Sequence, residues 1–180
     1  MAERSVITIR TPGLTLPEPG ASRETYTRAE RISVATLSLV AALALRMISG
    51  DRSRHKLLIL DEAWFLLRSA QGRALLNRVI RLGRAFNATV LVATHRLSDL
   101  GELAELFGVC FLLGQETEAE ARAGGEQIGI EADQAMRLTE FRRGRFLMRD
   151  LDGRVGEGQF DLVFPALLEA LDSTPREGGE

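Results

Sequence analysis

The stretch His55-Lys-Leu-Leu-Ile-Leu-Asp-Glu-Ala-Trp64 decides the fold of this chain. Its first part, Lys56–Leu60, is five residues long and almost wholly apolar. An apolar run this short predicts a strand that is buried on both faces of a parallel sheet. Two acidic residues, Asp61 and Glu62, follow the run directly. Because open α/β sheets bind ligands at the carboxyl ends of their strands, the stretch predicts a binding site as well as a sheet.

The two carboxylates allow two interpretations. An apolar strand that ends in two acidic residues is the Walker B pattern of nucleotide hydrolases. In that pattern Asp61 would hold Mg²⁺ and Glu62 would polarise the attacking water. Alternatively, Asp61 caps a helix that follows the strand and stabilises its first turn. The stretch alone leaves both interpretations open.

The composition predicts one compact α/β domain in a reducing, cytosolic setting. The chain has 180 residues, of which 45% are hydrophobic, and a net charge of −2, so a sizeable core is expected over residues 1–172, with a disordered tail over 173–180. Cys110 is the only cysteine and there are two histidines, which excludes an intrachain disulfide and disfavours a zinc site. The longest uncharged part, Ile32–Leu45, has 14 residues, so no transmembrane segment is expected.

The lysine content limits what this chain can do with a nucleotide. A P-loop follows the pattern G-x-x-x-x-G-K-[ST], in which glycine amides and a lysine ammonium hold the phosphates. Lys56 is the only lysine, it is followed by Leu57, and no glycine stands at the required spacing before it. The chain therefore has no P-loop, and any nucleotide-hydrolysing site within it is incomplete.

The order of sequence patterns predicts an α/β fold with a mostly parallel sheet, flanking helices and a C-terminal β-hairpin. Thr27-x-x-Glu30 is a capping box before a long helix, and Asp152-Gly153 is a hairpin signal. Strands are expected over residues 5–9, 56–60, 88–94, 109–114, 145–150 and 155–161. Helices are expected over 32–48, 72–86, 99–107, 116–128 (on the surface), 132–138 and from 165 onward.

A second strand ends in polar residues, at Thr94-His95. Two strands joined by a helix predict a parallel βαβ unit, so that Asp61 and His95 should meet at one edge of the sheet. There His95, with Thr94 behind it, could contact the γ-phosphate and the attacking water. Alternatively, His95 binds only a loop carbonyl.

Arginines in the connecting helix are further candidates. Arg81 and Arg84 are three residues apart and therefore share a helix face. Guanidinium groups suit phosphate charge, and an arginine supplied by a neighbouring subunit can accelerate phosphoryl transfer greatly. Alternatively, the two arginines form a solvated face. The cluster Arg142-Arg143-Gly-Arg145 is a second candidate of the same kind.

The chain resembles the C-terminal part of the type IV secretion and conjugation ATPases, the VirB/TraC-like branch of the HerA/FtsK group of P-loop NTPases. The resemblance covers about residues 5–165. It rests on these pieces: the segment 6–16, the helix 32–48, Leu-Ile-Leu-Asp-Glu-Ala-Trp at 58–64, Arg81-x-x-Arg84-x-x-Asn87, Ala-Thr-His at 93–95, and the hairpin around Gly153.

This resemblance implies a RecA-like domain that is incomplete at its N-terminus, from a ring-forming, hexameric motor that uses ATP and Mg²⁺. It also implies membrane-associated secretion or conjugation partners, indirect contact with DNA, and a place at the cytoplasmic face of a membrane. The implied catalytic residues are Glu62, His95, Arg81 and Arg84. Asp61 would bind the metal and, with Thr94, the nucleotide.

Two departures from the family pattern shape the expectations for this chain. The family usually has glutamine where this chain has His95, and the family's P-loop lies upstream of the segments matched here. The chain is therefore expected to be a fragment that is inactive alone. The alternatives are a fragment of an ABC-type ATPase and a RecA-like interaction module that hydrolyses nothing.

Overall fold

The computed structural model describes residues 6–18, 21–61, 63–67, 70–161, 164 and 166. The chain divides into two compact units, Met1–Leu106 and Phe107–Glu180. The expectation of one domain over residues 1–172 stays a prediction, and the expected tail over 173–180 lies outside the described residues, as does most of the helix expected from Pro165.

The first unit contains a parallel βαβ arrangement, as the sequence predicts. Its helices and strands are α1 (Arg28–Ile48), β1 (Lys56–Leu60), α2 (Trp64–Leu67), α3 (Ala70–Gly83) and β2 (Ala88–Val92). β1 and β2 pair in parallel, in a register that runs from Lys56 opposite Ala88 to Leu60 opposite Val92. A ten-residue 3₁₀ segment, Leu97–Leu106, follows β2 and is interrupted at Gly101. The expected α/β class with a parallel sheet and flanking helices is confirmed.

The prediction that β1 is buried on both faces is wrong. Burial alternates along the strand, and Leu57 and Ile59 are 56% and 59% exposed. α1 and α3 contact each other, and α3 packs against the face of the sheet that carries Val90. Among the described residues the helices therefore cover one face of β1 and β2, and the apolar side chains of the other face stay in contact with water.

Helix α1 starts at the predicted capping box. The backbone N–H of Thr27 donates to Glu30 Oε2 at 2.7 Å, and the N–H of Glu30 donates to Thr27 Oγ1 at 3.3 Å. The helix has 21 residues, more than the predicted 17, and by length and composition alone it could cross a membrane. A helix that packs inside a domain passes the same test, and α1 contacts α3 and β1. The expected absence of a transmembrane segment stays a prediction.

The strand expected over residues 5–9 is not present in its described part, residues 6–9. Val6 and Ile7 are 77% and 56% exposed, and no strand among the described residues pairs with this apolar segment. The chain instead meets α1 further on, where the N–H of Thr15 donates to Ser33 Oγ at 2.9 Å.

The second unit is a three-stranded antiparallel sheet with helices. It contains β3 (Cys110–Leu113), α4 (Glu118–Gln127), α5 (Ala132–Met136), the 3₁₀ turn Arg137–Glu140, β4 (Arg145–Arg149) and β5 (Val155–Gln159). The sheet order is β3-β4-β5. The predicted hairpin is confirmed, and Gly153 in its turn has φ of 80°, a conformation that favours glycine.

Helix α4 lies at the surface on one face, as its charged sequence predicts, and is buried on the other. Ala121, Gly124 and Gly125 are buried, because small residues let the helix approach its neighbours closely. A Cβ on Gly125 would lie 2.5 Å from the Cβ of Ala135 in α5, whereas a Cβ on Gly124 would meet Leu112 of β3 at 3.5 Å. The charged residues of α4 cover only its other face.

Candidate functional site

The carboxyl ends of β1 and β2 lie side by side, as the βαβ prediction requires. The ladder continues beyond the strands: the N–H of Ala93 donates to the carbonyl of Leu60, and the N–H of Ala63 donates to the carbonyl of Ala93, both at 2.9 Å. These bonds fix Asp61, which is exposed, opposite Ala93, the residue before Thr94. The first carboxylate of the predicted pair and the polar end of the second strand therefore occupy one edge of the sheet.

The loop after β2 is held by a side-chain hydrogen bond that the sequence patterns did not predict. Thr94 Oγ1 donates to Asp99 Oδ2 at 3.0 Å, and both residues are half-buried. The N–H of Asp99 also donates to the carbonyl of Arg96 at 3.1 Å. His95 lies exposed within the turn that these two bonds close. The one signal in the sequence for this hydrogen bond was that Asp99 is an acidic residue at the start of the predicted helix 99–107, five residues after Thr94.

Two predicted site residues cannot be placed. Glu62 lies outside the described residues, and so does the side chain of Arg84, whose backbone belongs to the 3₁₀ turn Arg84–Phe86. Their predicted roles stay predictions.

Arg81 lies at the opposite end of the sheet from Asp61. Helix α3 runs back along the sheet and ends where β2 begins, since a Cβ on Gly83 would lie 2.9 Å from the carbonyl oxygen of Ala88. The strand between the two ends, at five residues, is roughly 13 Å long. Arg81 is exposed and donates from Nε to Asn77 Oδ1 at 2.5 Å. Within one chain, the structure therefore does not bring Arg81 to Asp61.

The only lysine is also at that opposite end. Lys56 is the first residue of β1, and its Nζ donates to the carbonyl of Asp51 at 2.6 Å. The Asp51 carboxylate accepts hydrogen bonds from the side chain and the backbone of Ser53, which together with nearby Lys56 lower its pKa. Lys56 is thus used in the loop before β1 and does not reach the edge with Asp61.

The arginines of the second cluster, Arg142, Arg143 and Arg145, lie in different surroundings. Arg145 forms an ion pair with Glu157, and Arg137 forms another with the same carboxylate at 2.5 Å. These pairs join the hairpin to the turn after α5. Arg142 and Arg143 are exposed on the loop before β4. The ion pairs make a structural role sufficient for Arg145.

The residues fit a magnesium nucleotide only in part. No group of three or more His, Cys, Asp and Glu that could hold a metal occurs among the residues that the structure describes. Asp61 can still supply one oxygen ligand to Mg²⁺, because this ion keeps most of its waters and binds phosphate oxygens. A phosphate-binding loop is not present in the sequence, so the chain offers a metal ligand without the groups that hold the phosphates.

The fold is that of an α/β domain in which Asp61 and Thr94 follow two parallel strands. The sequence matches the AAA-like domain family over residues 1–171, and the chain belongs to that family. The fold that the resemblance to type IV secretion ATPases implies is confirmed, since the structure is similar to VirB4 of Thermoanaerobacter pseudethanolicus. The TM-score is 0.59 and the identity 21%, over 79% of this chain and 38% of that one.

Two curated proteins are related in sequence. The uncharacterized protein YddE of Bacillus subtilis (strain 168) is 20% identical over 177 residues, which is 97% of this chain and 21% of YddE. The DNA import protein CedB of Sulfolobus acidocaldarius is 39% identical over 61 residues, which is 33% of this chain and 10% of CedB. The chain therefore spans about a fifth or less of the length of these two proteins.

Proposed function

We propose that this chain carries the Walker B half of an ATP-hydrolysing site in a ring-forming motor for type IV secretion or conjugative DNA transfer. The observation that supports it is the parallel register of β1 and β2, which puts Asp61 and the Thr94–His95 turn at one carboxyl edge of the sheet. Ligands of open α/β sheets bind at this edge, and the AAA-like family match agrees with a nucleotide as the ligand.

Each residue of this edge has a separate role in the proposal. Asp61 holds Mg²⁺, which spreads the negative charge of the phosphates when it is bound. Glu62, the next residue, takes the proton of the attacking water. Thr94, held by Asp99, and His95 contact the γ-phosphate side of the site. The phosphates themselves are held by a P-loop that this sequence does not contain.

The arginines act on a neighbouring subunit in this proposal. Arg81 lies at the amino end of β2, away from Asp61 of its own chain. In a ring, that end of one subunit can face the nucleotide of the next, so that Arg81 or Arg84 stabilises the transition-state charge in trans. Self-association, a hexamer in the complete motor, follows from this arrangement.

The biological setting is proposed from the relatives. The printed name of CedB describes DNA import, and VirB4 has the same fold over 79% of this chain. We infer a cytoplasmic location at the inner face of the membrane, next to membrane-embedded transfer components, with DNA or protein as the transported substrate.

The test of the site is the substitution Glu62→Gln in a protein where residues 1–180 are joined to an upstream P-loop segment. Hydrolysis of ATP should fall by about 10²–10⁴-fold, the usual contribution of a general base, while ATP binding stays unchanged. Glu116→Gln, an exposed carboxylate of the second unit, is the matched control and should hydrolyse ATP as the unaltered protein does. Equal rates for all three proteins would show that the base lies elsewhere.

A module that binds partners and hydrolyses nothing is the second candidate. Its support is Lys56, the sole lysine, which lies at the wrong end of β1 for a phosphate. Titration calorimetry of the 180-residue chain with MgATP should detect no binding under either proposal. If the protein with the P-loop segment also binds no ATP, the interaction module is the better account. The ABC-type alternative has no support from the AAA-like family match.

A further inference from the structure

Helix α1 carries an apolar stripe that the described part of the chain leaves uncovered. The stripe consists of Ile32, Leu39, Leu43 and Met47, and Leu39 is 71% exposed. The last three residues are four positions apart and therefore follow one another along a single face. A second stripe, with Leu37 and Ala41, is buried. One helix thus presents apolar side chains both to the domain and to the outside.

A basic segment, residues 46–56, begins where this stripe ends. It contains Arg46, Arg52, Arg54 and Lys56, against the single carboxylate of Asp51. The guanidinium of Arg52 lies over the ring of Phe86, 5.0 Å from its centre. Lys56 donates to a backbone carbonyl. The ring of Phe86 and the carbonyl of Asp51 are uncharged, and the Asp51 carboxylate, whose pKa is lowered by hydrogen bonds from Ser53 and by nearby Lys56 and Arg54, offsets one positive charge. Four basic residues and one carboxylate leave residues 46–56 with a net charge of +3.

We propose that the apolar stripe and the basic segment together form a docking surface for an anionic lipid bilayer. Apolar side chains enter the boundary between headgroups and acyl chains, and neighbouring basic residues bind the anionic headgroups. Charge complementarity selects this partner. A second copy of the chain would bring an equally basic segment to the contact, and a nucleic acid would offer no apolar phase to the stripe.

The helix lies on the bilayer in this arrangement and does not cross it. Crossing would expose Leu37 and Ala41 to lipid and remove them from α3 and β1, against which α1 packs. Arg46 lies in the last turn of the helix, at the level of the headgroups. The inference concerns the outer side of α1 and is independent of the nucleotide chemistry proposed above.

The test is cosedimentation of the 180-residue chain with vesicles of phosphatidylcholine mixed with phosphatidylglycerol, and with vesicles of phosphatidylcholine alone. The chain should bind the anionic vesicles and be released by high salt. The double variant Arg52→Gln/Arg54→Gln should partition roughly 25-fold more weakly, since each basic residue near an anionic surface accounts for roughly fivefold. Its matched control, Arg142→Gln/Arg143→Gln, removes the same charge from the second unit and should partition as the unaltered chain does.

The apolar part is tested with Leu39→Gln/Leu43→Gln, which should weaken partitioning by about tenfold or more because two partly exposed leucines no longer enter the boundary. Leu151→Gln, at a 74% exposed leucine of the second unit, is the control. All these residues lie in exposed positions, and unchanged circular dichroism verifies folding.

Four results would overturn the proposal. The first is equal binding of Leu39→Gln/Leu43→Gln and the unaltered chain, and the second is equal binding to neutral and anionic vesicles. The third is binding to anionic vesicles that high salt does not weaken, which would show that the basic segment takes no part in it. The fourth is absence of binding to the anionic vesicles. In that case, a dimer that Leu39→Gln/Leu43→Gln dissociates would identify a second copy of the chain as the occupant, and an oligonucleotide affinity that Arg52→Gln/Arg54→Gln lowers would identify a nucleic acid.

Discussion

The hydrogen bond from Thr94 to Asp99 makes a measurable contribution to stability at the candidate site. Its length is 3.0 Å and both residues are half-buried. A hydrogen bond to a charged acceptor contributes about 1.5–3 kcal/mol, and partial exposure to water reduces the value. We expect a coupling of about 1–2 kcal/mol between the two side chains, measured as the interaction term of the variants Thr94→Val, Asp99→Ala and the double variant.

The assay is urea unfolding followed by circular dichroism. Because the chain has two units, amide hydrogen exchange in β1 and β2 should accompany it to report on the first unit alone. Thr89→Val supplies the control cycle with Asp99→Ala, since the Thr89 hydroxyl lies 3.3 Å from Nε2 of His55 instead. That cycle should give a coupling below about 0.5 kcal/mol. A Thr94–Asp99 coupling no larger than this control would refute the claim that the bond holds the His95 turn.

Two further predictions concern the second unit and the loop before β1. Gly125→Ala should lower the free energy of unfolding by about 1–3 kcal/mol, because its Cβ would lie 2.5 Å from that of Ala135. Gly124→Ala should leave the free energy of unfolding unchanged or raise it by up to about 1 kcal/mol, because alanine favours a helix more than glycine does. Equal unfolding midpoints for the two variants would contradict this expectation. The pKa of Asp51 is lowered chiefly by its hydrogen bonds from Ser53. The ionised Asp51 carboxylate therefore contributes slightly to stability at neutral pH, and this contribution is lost as the pH falls through the lowered pKa. In an NMR titration, Ser53→Ala should raise the pKa of Asp51, and an unchanged pKa would exclude the hydrogen bonds as the cause.

Local patterns predicted the elements whose signals are complete within a few residues. The capping box at Thr27 and Glu30 needs only four adjacent positions, and it starts α1 as expected. The Asp-Gly turn needs two, and it closes the hairpin of β4 and β5. The two apolar runs and the helix between them specified a parallel pair, because a crossover of that length leaves few other topologies.

Predictions failed where they depended on what a segment packs against. The pattern of residues 6–9 is that of a strand, but a strand needs a hydrogen-bonded neighbour, and the described chain provides none. The burial of Leu57 and Ile59 depends on a layer over the second face of the sheet. The burial of Gly124 and Gly125 depends on β3 and α5. None of these partners can be read from the segment itself.

The sequence by itself determined that Asp61 and Glu62 follow a strand, that a second strand ends at Thr94, and that no P-loop is present. The order of the residues along the chain and the spacing of the apolar residues contain this information. The tertiary structure alone decided that Asp99 holds Thr94 and that Arg81 lies at the far end of the sheet from Asp61. The physical reason is that both facts depend on three-dimensional positions. The path of the loop after β2 brings Asp99 to Thr94, and the packing of α3 on the sheet places Arg81.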